Sequence, residues 1–333
     1  MESDDATEEE GYRRAAENGD PDAWVDLAWF LVREPGREAE VEVAWRAAIA
    51  GGRDDSRRYL AGLLSEQPGR EADAEDEYRG AIATGDEVAW DGLAGLLARV
   101  DGRQDEALDI CRTVGSAGAW YYAGAHLRGQ PGWEAQAETA LANAAAAGHE
   151  DASMQLGYLL AHQAGREADA EAAYRAAIAS GTTFALVSLG RLLEADAGRA
   201  AEVEALYREG TAAGDERGLG NLARFLTSQP GREAEAEAAC REAIAAGDAA
   251  SWQELGGLLA RDPARFAEAE QAYRHAIAAG IAFARFHLGW LLSRRPGRED
   301  EAEAAYRDAI AHGIDDAWGY LGGLLARMPG REQ

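Results

Sequence analysis

The fold is decided by two short stretches that recur along the chain. Residues 166–181 read READAEAAYRAAIASG, and residues 248–260 read DAASWQELGGLLA. In both stretches the apolar residues fall three and four positions apart, which places them on one face of a helix. A Pro-Gly turn or a close variant separates the two kinds of helix, and a glycine ends the kind that carries Tyr174. The pattern predicts a helix-turn-helix unit, and no segment alternates with the period of a strand.

The unit repeats with a nearly constant period. The glycine of a Pro-Gly-Arg tripeptide, or of a close variant, recurs at positions 36, 69, 102, 132, 165, 198, 231, 297 and 330, and Ala264 fills the remaining slot. Every interval is 33 residues except one of 30. Because a pair of short helices cannot bury its apolar face alone, stacked units share one continuous core. We therefore predict an all-α solenoid of about ten repeats that occupies residues 1–333 as a single domain.

The repeat resembles the tetratricopeptide repeat family, with features of Sel-type repeats. The residues that carry the resemblance are Trp252, Leu255, Gly256 and Leu259 in the first helix, and Ala269, Tyr273 and Ala276 in the second. The same pattern covers about residues 8–327. The period departs from the family's usual length of about 34 residues, and the proline that usually ends the second helix is missing. The resemblance implies a right-handed superhelix whose concave groove is lined by the first helices.

Composition and charge exclude several classes of function. The 333 residues include 60 acidic and 33 basic side chains, for a net charge of −27, and every basic residue is arginine. Nucleic acids and anionic membranes are bound by basic surfaces, so neither is an expected partner. The acidic N-terminus does not resemble a secretion signal, and no apolar run approaches the roughly 20 residues that cross a bilayer. We therefore expect a cytoplasmic protein.

The sequence contains no recognisable catalytic or cofactor motif. Its six histidines lack metal-ligand spacing, and the pattern Gly218-x-Gly220-x-x-Ala223 lies on a predicted helix with no preceding strand. Without any lysine, a Walker-type phosphate loop and a Schiff base are excluded. Cys111 and Cys240 occupy the aromatic slot of the second helix, which predicts buried core residues. We expect no enzymatic activity, no cofactor and no metal.

Candidate binding residues are those that the repeat does not dictate. Two slots four residues apart on the first helix vary freely, and in the resembled family this register faces the groove. Aromatic residues, methionine and arginine, which are enriched at binding hot spots, occupy several of these slots or follow them closely. The candidates are Trp29, Tyr121, Arg128, Met154, Tyr158, Arg191, Arg224, Phe286, Trp290 and Arg294. The structural alternative is that these side chains only fill gaps between repeats.

These observations predict a non-enzymatic interaction scaffold that binds a peptide or protein segment in its concave groove. Arginines on an otherwise acidic molecule favour a ligand with a carboxylate or an acidic-aromatic peptide. One alternative is a self-assembling structural module, and another is an acidic regulator acting through its ends or outer face. The segment Pro329–Glu332 starts another unit, so either the sequence is part of a longer protein or the last face pairs with another protomer in an end-to-end homo-oligomer.

Two other features bear on the organisation of the array. The spacing predicts eight Glu–Arg pairs four residues apart on the second helices, at Glu9–Arg13, Glu42–Arg46, Glu75–Arg79, Glu171–Arg175, Glu204–Arg208, Glu237–Arg241, Glu270–Arg274 and Glu303–Arg307. We expect these pairs to cover a solvated outer face. Near residues 108–120 three residues are missing, Leu108 and Leu141 break the pattern, and Trp133 replaces an arginine. This irregular joint suggests a hinge or a partner site, or simple drift of the repeat.

Overall fold

The computed structural model describes residues 2–328, and side chains from residue 7 onward. The final segment, with the predicted start of another unit, lies outside the described residues. Within the described range the chain forms helices and turns without any strand. The first helices of the repeats are α2 (Pro21–Leu31), α4 (Arg57–Ser65), α6 (Ala89–Arg99), α8 (Ala117–Leu127), α10 (Ala152–Ala161), α12 (Phe184–Leu193), α14 (Arg217–Thr227), α16 (Ser251–Leu259), α18 (Phe283–Ser293) and α20 (Ala317–Leu325).

The second helices alternate with them along the chain. They are α1 (Glu2–Glu17), α3 (Glu38–Ala50), α5 (Glu71–Ala83), α7 (Gln104–Val114), α9 (Glu134–Ala146), α11 (Glu167–Ala179), α13 (Ala200–Ala212), α15 (Glu233–Ala245), α17 (Phe266–Ala278) and α19 (Glu299–Ala311). Short 3-10 turns precede three helices, at Asp54–Ser56, Ala197–Arg199 and Pro263–Arg265. The predicted all-α repeat architecture is confirmed.

Both kinds of turn need glycine for the same reason. Gly36, between α2 and α3, has a φ of 90°, and Gly52, between α3 and α4, has a φ of 95°. Residues with a side chain rarely adopt this left-handed conformation, so the recurring glycines fix where most of the helices end. The period of the sequence therefore reflects the regular spacing of the helix ends.

Residue contacts group the chain into two compact units, residues 1–182 and residues 183–333. The first unit holds α1–α11 and the second holds α12–α20. In each unit a helix packs mainly against its neighbours along the chain, as stacked helical pairs do. The single domain over 1–333 stays a prediction.

The core of each unit is built from the same slots. Leucines of the first helices meet alanines and one large aromatic residue of the second, such as Trp45 in the first unit and Tyr207 in the second, both buried. Cys111 and Cys240 occupy that aromatic slot and are completely buried, which confirms that they are core residues. Burial raises the pKa of each thiol to about 12.

The second helices are linked by what we call the arginine ladder. The arginine of a Pro-Gly-Arg turn binds a glutamate of the preceding repeat: Arg70 donates to both carboxylate oxygens of Glu42 at 3.0 and 3.2 Å. Arg46, four residues after Glu42, donates to the same carboxylate at 3.0 Å. Equivalent links join Arg37–Glu9, Arg103–Glu75, Arg166–Glu138, Arg232–Glu204, Arg265–Glu237 and Arg298–Glu270.

The ladder changes the interpretation of the predicted Glu–Arg pairs. All eight form. Their glutamates, however, are not the freely solvated side chains that we expected. The Glu42 side chain is only 19% exposed, because the arginine of the next repeat covers it. The glutamates of these pairs therefore link neighbouring repeats as well as residues of one helix.

At the irregular joint the ladder is replaced by apolar packing. Trp133 stands in the slot of the arginine and Leu108 in the slot of the glutamate, and both pack into one hydrophobic cluster. Gly115, with a φ of 69°, ends α7 early. Ser116 then caps α8 and donates a hydrogen bond to Asp91 on α6 at 2.5 Å. The helices α6 and α8 pack closely, whereas successive first helices elsewhere touch only lightly.

Candidate functional site

The predicted site residues are distributed over both units. In the first unit Trp29 lies on α2, Tyr121 on α8, Arg128 directly after α8, and Met154 and Tyr158 on α10. In the second unit Arg191 lies on α12, Arg224 on α14, Phe286 and Trp290 on α18, and Arg294 directly after α18. All ten therefore belong to first helices or to the residue that follows one.

In the first unit the structure brings Arg128 and Tyr158 together. The Arg128 guanidinium lies 4.6 Å from the centre of the Tyr158 ring and donates a hydrogen bond to Gln155 at 2.8 Å. Tyr158 is 49% exposed, which is unusual for a large aromatic side chain that has a core available. Met154 is half-buried one helical turn before Tyr158. Tyr158 and Arg128 therefore present an apolar ring with a cation stacked on it.

Tyr121 and Trp29 are more strongly engaged by their own neighbours. The Tyr121 ring stacks on His149 with ring centres 3.8 Å apart. Trp29 is 42% exposed and meets Trp45 and Tyr59 edge to face, with ring centres 5.4 and 4.8 Å apart. Trp29 therefore covers part of the local core while leaving a large edge in solvent.

A cavity of about 360 Å³ opens in the first unit where glycines replace bulky residues. Gly62 and Gly95 occupy the slot of Trp29, and Arg58, Tyr122 and His126 contribute to the walls. Burial lowers the pKa of His126, which favours its neutral imidazole. The glycine floor was visible in the sequence, but Tyr122 and His126 were missed because they lie outside the two variable slots.

In the second unit Arg191 and Arg224 differ in availability. Arg224 donates to both carboxylate oxygens of Glu194, at 2.9 and 2.6 Å. It can orient a ligand carboxylate only by exchanging this partner. Arg191 is exposed and makes no ion pair with any described residue. Arg191 therefore fits the predicted role more directly than Arg224 does.

Trp290 lines two cavities in the second unit. One, of about 280 Å³, also contains Arg294, whose guanidinium lies 4.6 Å from the centre of the Trp290 ring. The other, of about 410 Å³, contains Phe286. Gly257, which fills the Trp290 slot on α16, borders both. A bulky side chain beside an open glycine is the arrangement predicted for an anchor.

The larger cavity of the second unit is rich in acceptors. Burial raises the pKa of Glu254, and the Gln253 side-chain oxygen has no hydrogen-bond partner in the part of the chain that the structure describes. Phe286 meets Tyr320 edge to face, with ring centres 4.9 Å apart. A buried acceptor without a donor costs roughly 1–3 kcal/mol, and a ligand that donates a hydrogen bond there removes this cost.

Three further residues line the smaller cavity and were missed from the sequence. Arg261 follows α16, Arg295 follows Arg294, and Phe266 begins α17. They lie in and beside the turns that follow first helices, outside the two variable slots of the first helices. Comparison of equivalent slots in the ten repeats could have found them, because Phe266 stands where most repeats have glutamate.

No helix among the described residues is long and apolar enough to cross a bilayer. Within the same range, no group of three or more histidine, cysteine, aspartate or glutamate side chains is arranged to hold a metal ion.

Among known proteins, similarity was found only to solved structures. The sequence matches no family model and no curated protein. Among solved structures, c5321, a protective antigen of uropathogenic Escherichia coli with an SLR fold, is similar over 96% of this chain and 75% of its own, with 18% identity and a TM-score of 0.57. A Sel1 repeat protein from Oxalobacter formigenes is similar over 95% of this chain and 90% of its own, with 17% identity and a TM-score of 0.54.

A third structure, the Cut9–Hcn1 hetero-tetramer of the APC/C, matches 91% of this chain and 63% of its own, with 14% identity and a TM-score of 0.50. Sequence identities this low support a common fold and give no information about the binding partners of this chain. The chain has the all-helical repeat fold of the SLR and Sel1 repeat structures.

Proposed function

We propose that this protein is a non-enzymatic scaffold that binds a peptide or protein segment along the face formed by its first helices. The observation that carries the proposal is that Trp290 lines two cavities. One of them also holds Arg294, and the other holds the Gln253 side-chain oxygen, which has no hydrogen-bond partner among the described residues. Ligand sites combine such apolar surface with a few convergent polar groups. The repeat needs none of these side chains at these slots.

The proposed roles follow from exposure and charge. Apolar anchors are Trp29, Tyr121, Met154, Tyr158, Phe286 and Trp290. Carboxylates are oriented by Arg128, Arg191 and Arg294, and by Arg224 once its pair with Glu194 opens. Because these side chains stand on helices fixed by packed cores, the protein loses little freedom on binding and the ligand bears most of the ordering cost.

Affinity capture from a lysate of the native host tests this proposal. The intact protein is compared with a Tyr158→Ala, Arg191→Ala, Trp290→Ala variant whose circular dichroism is unchanged. A matched control carries Val43→Ala and Arg112→Ala, two exposed positions on second helices. We expect a partner, identified by mass spectrometry, that the control retains and the first variant loses. A partner retained equally by all three proteins would move the site away from the first helices.

The self-assembling alternative has one specific observation in its favour. On α20, Trp318 is 61% exposed and Tyr320 is 50% exposed, whereas Trp252 in the same slot as Trp318 is half-buried. A second copy that covers α20 would bury both rings. Light scattering across a range of concentrations tests this alternative: a mass that rises in the intact protein and not in Trp318→Ala would support it.

The acidic-regulator alternative predicts a different pattern of binding. A basic partner held by the outer face would dissociate as salt increases, and substitutions on the first helices would leave its affinity unchanged. The same capture experiment, washed at increasing salt, therefore separates this alternative from groove binding.

A further inference from the structure

The smaller cavity beside Trp290, which we call the arginine cleft, collects positive charge in a strongly acidic molecule. Arg261, Arg294 and Arg295 line it together with Phe266 and Trp290. Most arginines of the described chain pair with a carboxylate, including the ladder arginines next to the cleft. The three cleft arginines make no ion pair with any carboxylate among residues 7–328.

The contacts that these arginines do make leave hydrogen-bonding capacity unused. Arg261 donates to the Thr227 carbonyl oxygen at 2.7 Å. Arg294 lies over Trp290, and the Arg295 guanidinium lies 4.8 Å from the centre of the Phe266 ring. A guanidinium stacked on a ring keeps its N–H groups in the plane of the fork, where a carboxylate can accept two of them.

Two residues that line the cleft, Arg295 and Phe266, depart from the repeat pattern. The slot of Arg295 holds Glu34, Gln67 and Gln163 in other repeats, and these accept hydrogen bonds from their ladder arginines. The slot of Phe266 most often holds a glutamate that caps the preceding turn. In this repeat Asp262 caps Ala264 instead, at 2.9 Å. The cleft therefore gains a cation at Arg295 and an aromatic ring at Phe266, while the capping carboxylate is that of Asp262, which does not line the cleft.

We propose that the arginine cleft binds a carboxylate side chain of an acidic peptide segment, with an adjacent apolar side chain packed on Trp290. This inference rests on the proposed function, because it assigns ligand chemistry to part of the same face. A cavity of about 280 Å³ is small for a cofactor and suits one or two side chains of a segment that continues outside it. Charge complementarity favours Asp or Glu over neutral residues.

A purely structural role makes a different prediction. Cations near helix C-termini stabilise the helix dipole, and Arg261 and Arg294 follow the ends of α16 and α18. Under that role, removing them lowers the free energy of unfolding and leaves ligand affinity unchanged. Arg327 fills the same slot in the next repeat but does not line the cleft, so Arg327→Gln is the matched control.

The test is selection of random dodecapeptides displayed on phage against the intact protein. The leading peptides are synthesised with a fluorescent label, and their Kd values are measured by anisotropy. We expect them to be rich in Asp and Glu and to bind at least about tenfold more weakly to Arg294→Gln, Arg295→Gln than to the intact protein or Arg327→Gln. Replacing the critical peptide glutamate by glutamine should cost a similar factor in the intact protein and little in the double variant.

Other outcomes overturn the inference, and they separate it from the proposed function. Peptides that depend on Tyr158 and are indifferent to Arg294→Gln, Arg295→Gln would overturn the cleft assignment and leave the scaffold standing. A phosphoserine analogue that binds more tightly than the glutamate peptide would overturn the carboxylate assignment. Failure to select any peptide would count against both.

Discussion

At the scale of single residues, a glycine of the first helix lies close against a buried tyrosine of the second helix in several repeats. A Cβ atom placed on Gly256 would lie 2.8 Å from the Tyr273 ring, and one on Gly289 would lie 2.7 Å from Tyr306. These distances are shorter than real Cβ contacts, so any side chain forces the buried ring to move. The Leu-Gly pair of the sequence pattern is therefore a packing requirement.

We expect Gly256→Ala to lower the free energy of unfolding by about 1–3 kcal/mol, because overpacking outweighs the better helix propensity of alanine. Urea unfolding followed by circular dichroism measures the change. Gly322 is the matched control, since it occupies the same slot on α20 and has no described atom within 4 Å of a built Cβ. Gly322→Ala should be neutral or stabilising. Equal losses in both variants would show that the ring contact is unimportant.

The two cysteines give a second prediction at this scale. Burial raises the pKa of Cys111 and Cys240 to about 12, so almost no thiolate is present at pH 8. Both thiols should be unreactive toward a disulfide reagent in the folded protein and react fully in concentrated urea. Rapid reaction in buffer would place at least one of them outside the core. Cys111→Ala and Cys240→Ala identify which thiol reacts.

At the scale of helices, the arginine ladder couples each second helix to the next. Glu237 on α15 accepts hydrogen bonds from Arg265 at 2.6 and 2.7 Å and also pairs with Arg241 on its own helix at 2.5 Å. The hydrogen bonds from Arg265 lower the pKa of Glu237 from its ordinary value of 4.5 to about 2. The lowered pKa means that the ionised form stabilises the folded state.

Replacing Glu237 with glutamine should lower the free energy of unfolding at pH 7 by roughly 1–2 kcal/mol. A carboxylate with a lowered folded-state pKa contributes its full stabilisation above the unfolded pKa and loses it as the pH falls through the folded pKa. The difference between the intact protein and Glu237→Gln should therefore shrink between about pH 5 and about pH 2. Glu242→Gln, an exposed change on the same helix, is the control. A difference that is independent of pH would contradict the ionic role.

The irregular joint can be tested at the same scale. The close packing of α6 on α8 and the hydrogen bond from Ser116 to Asp91 favour a fixed corner over a hinge. We expect amide hydrogen exchange in residues 108–120 to be no faster than in the turns near Gly85 and Gly148, and Ser116→Ala to accelerate it. Faster exchange in the intact protein would restore the hinge hypothesis.

At the scale of the whole chain, the period of the sequence was enough to predict the architecture but not the connections between repeats. Helix boundaries follow from glycines and helical faces from apolar spacing, both of which are local properties. The ladder pair Arg70–Glu42 joins residues 28 positions apart, and spacing within one helix does not indicate which glutamate an arginine will reach. For this reason the predicted pairs were confirmed while their burial was missed.

The candidate site was predicted less completely, for a related physical reason. Tyr158 and Trp290 could be identified from the sequence, because residues three and four positions apart lie on the same face of a helix. The arginine cleft is formed by the ends of α16 and α18 and the start of α17, so several of its residues lie outside the two variable slots. Arg295 and Phe266 stand out in the sequence only when each is compared with the residue at the equivalent position of the other repeats. Arg224 is paired with Glu194, at the end of α12, whereas Arg191 is not. This difference in availability for a ligand depends on the three-dimensional structure and could not be predicted from the slots.

The net charge of −27 gives the last prediction. Excess like charge destabilises a folded chain, and added salt screens exposed charges separated by more than roughly 10 Å at 0.1 M. The ladder pairs are short and partly buried, so salt weakens them less. The urea midpoint should therefore rise between about 20 mM and about 0.5 M NaCl. The urea midpoint of Glu237→Gln, which lacks one ladder pair, should rise by at least as much over the same range of salt. A midpoint that falls with salt in the intact protein and not in this variant would show that the ladder outweighs the repulsion.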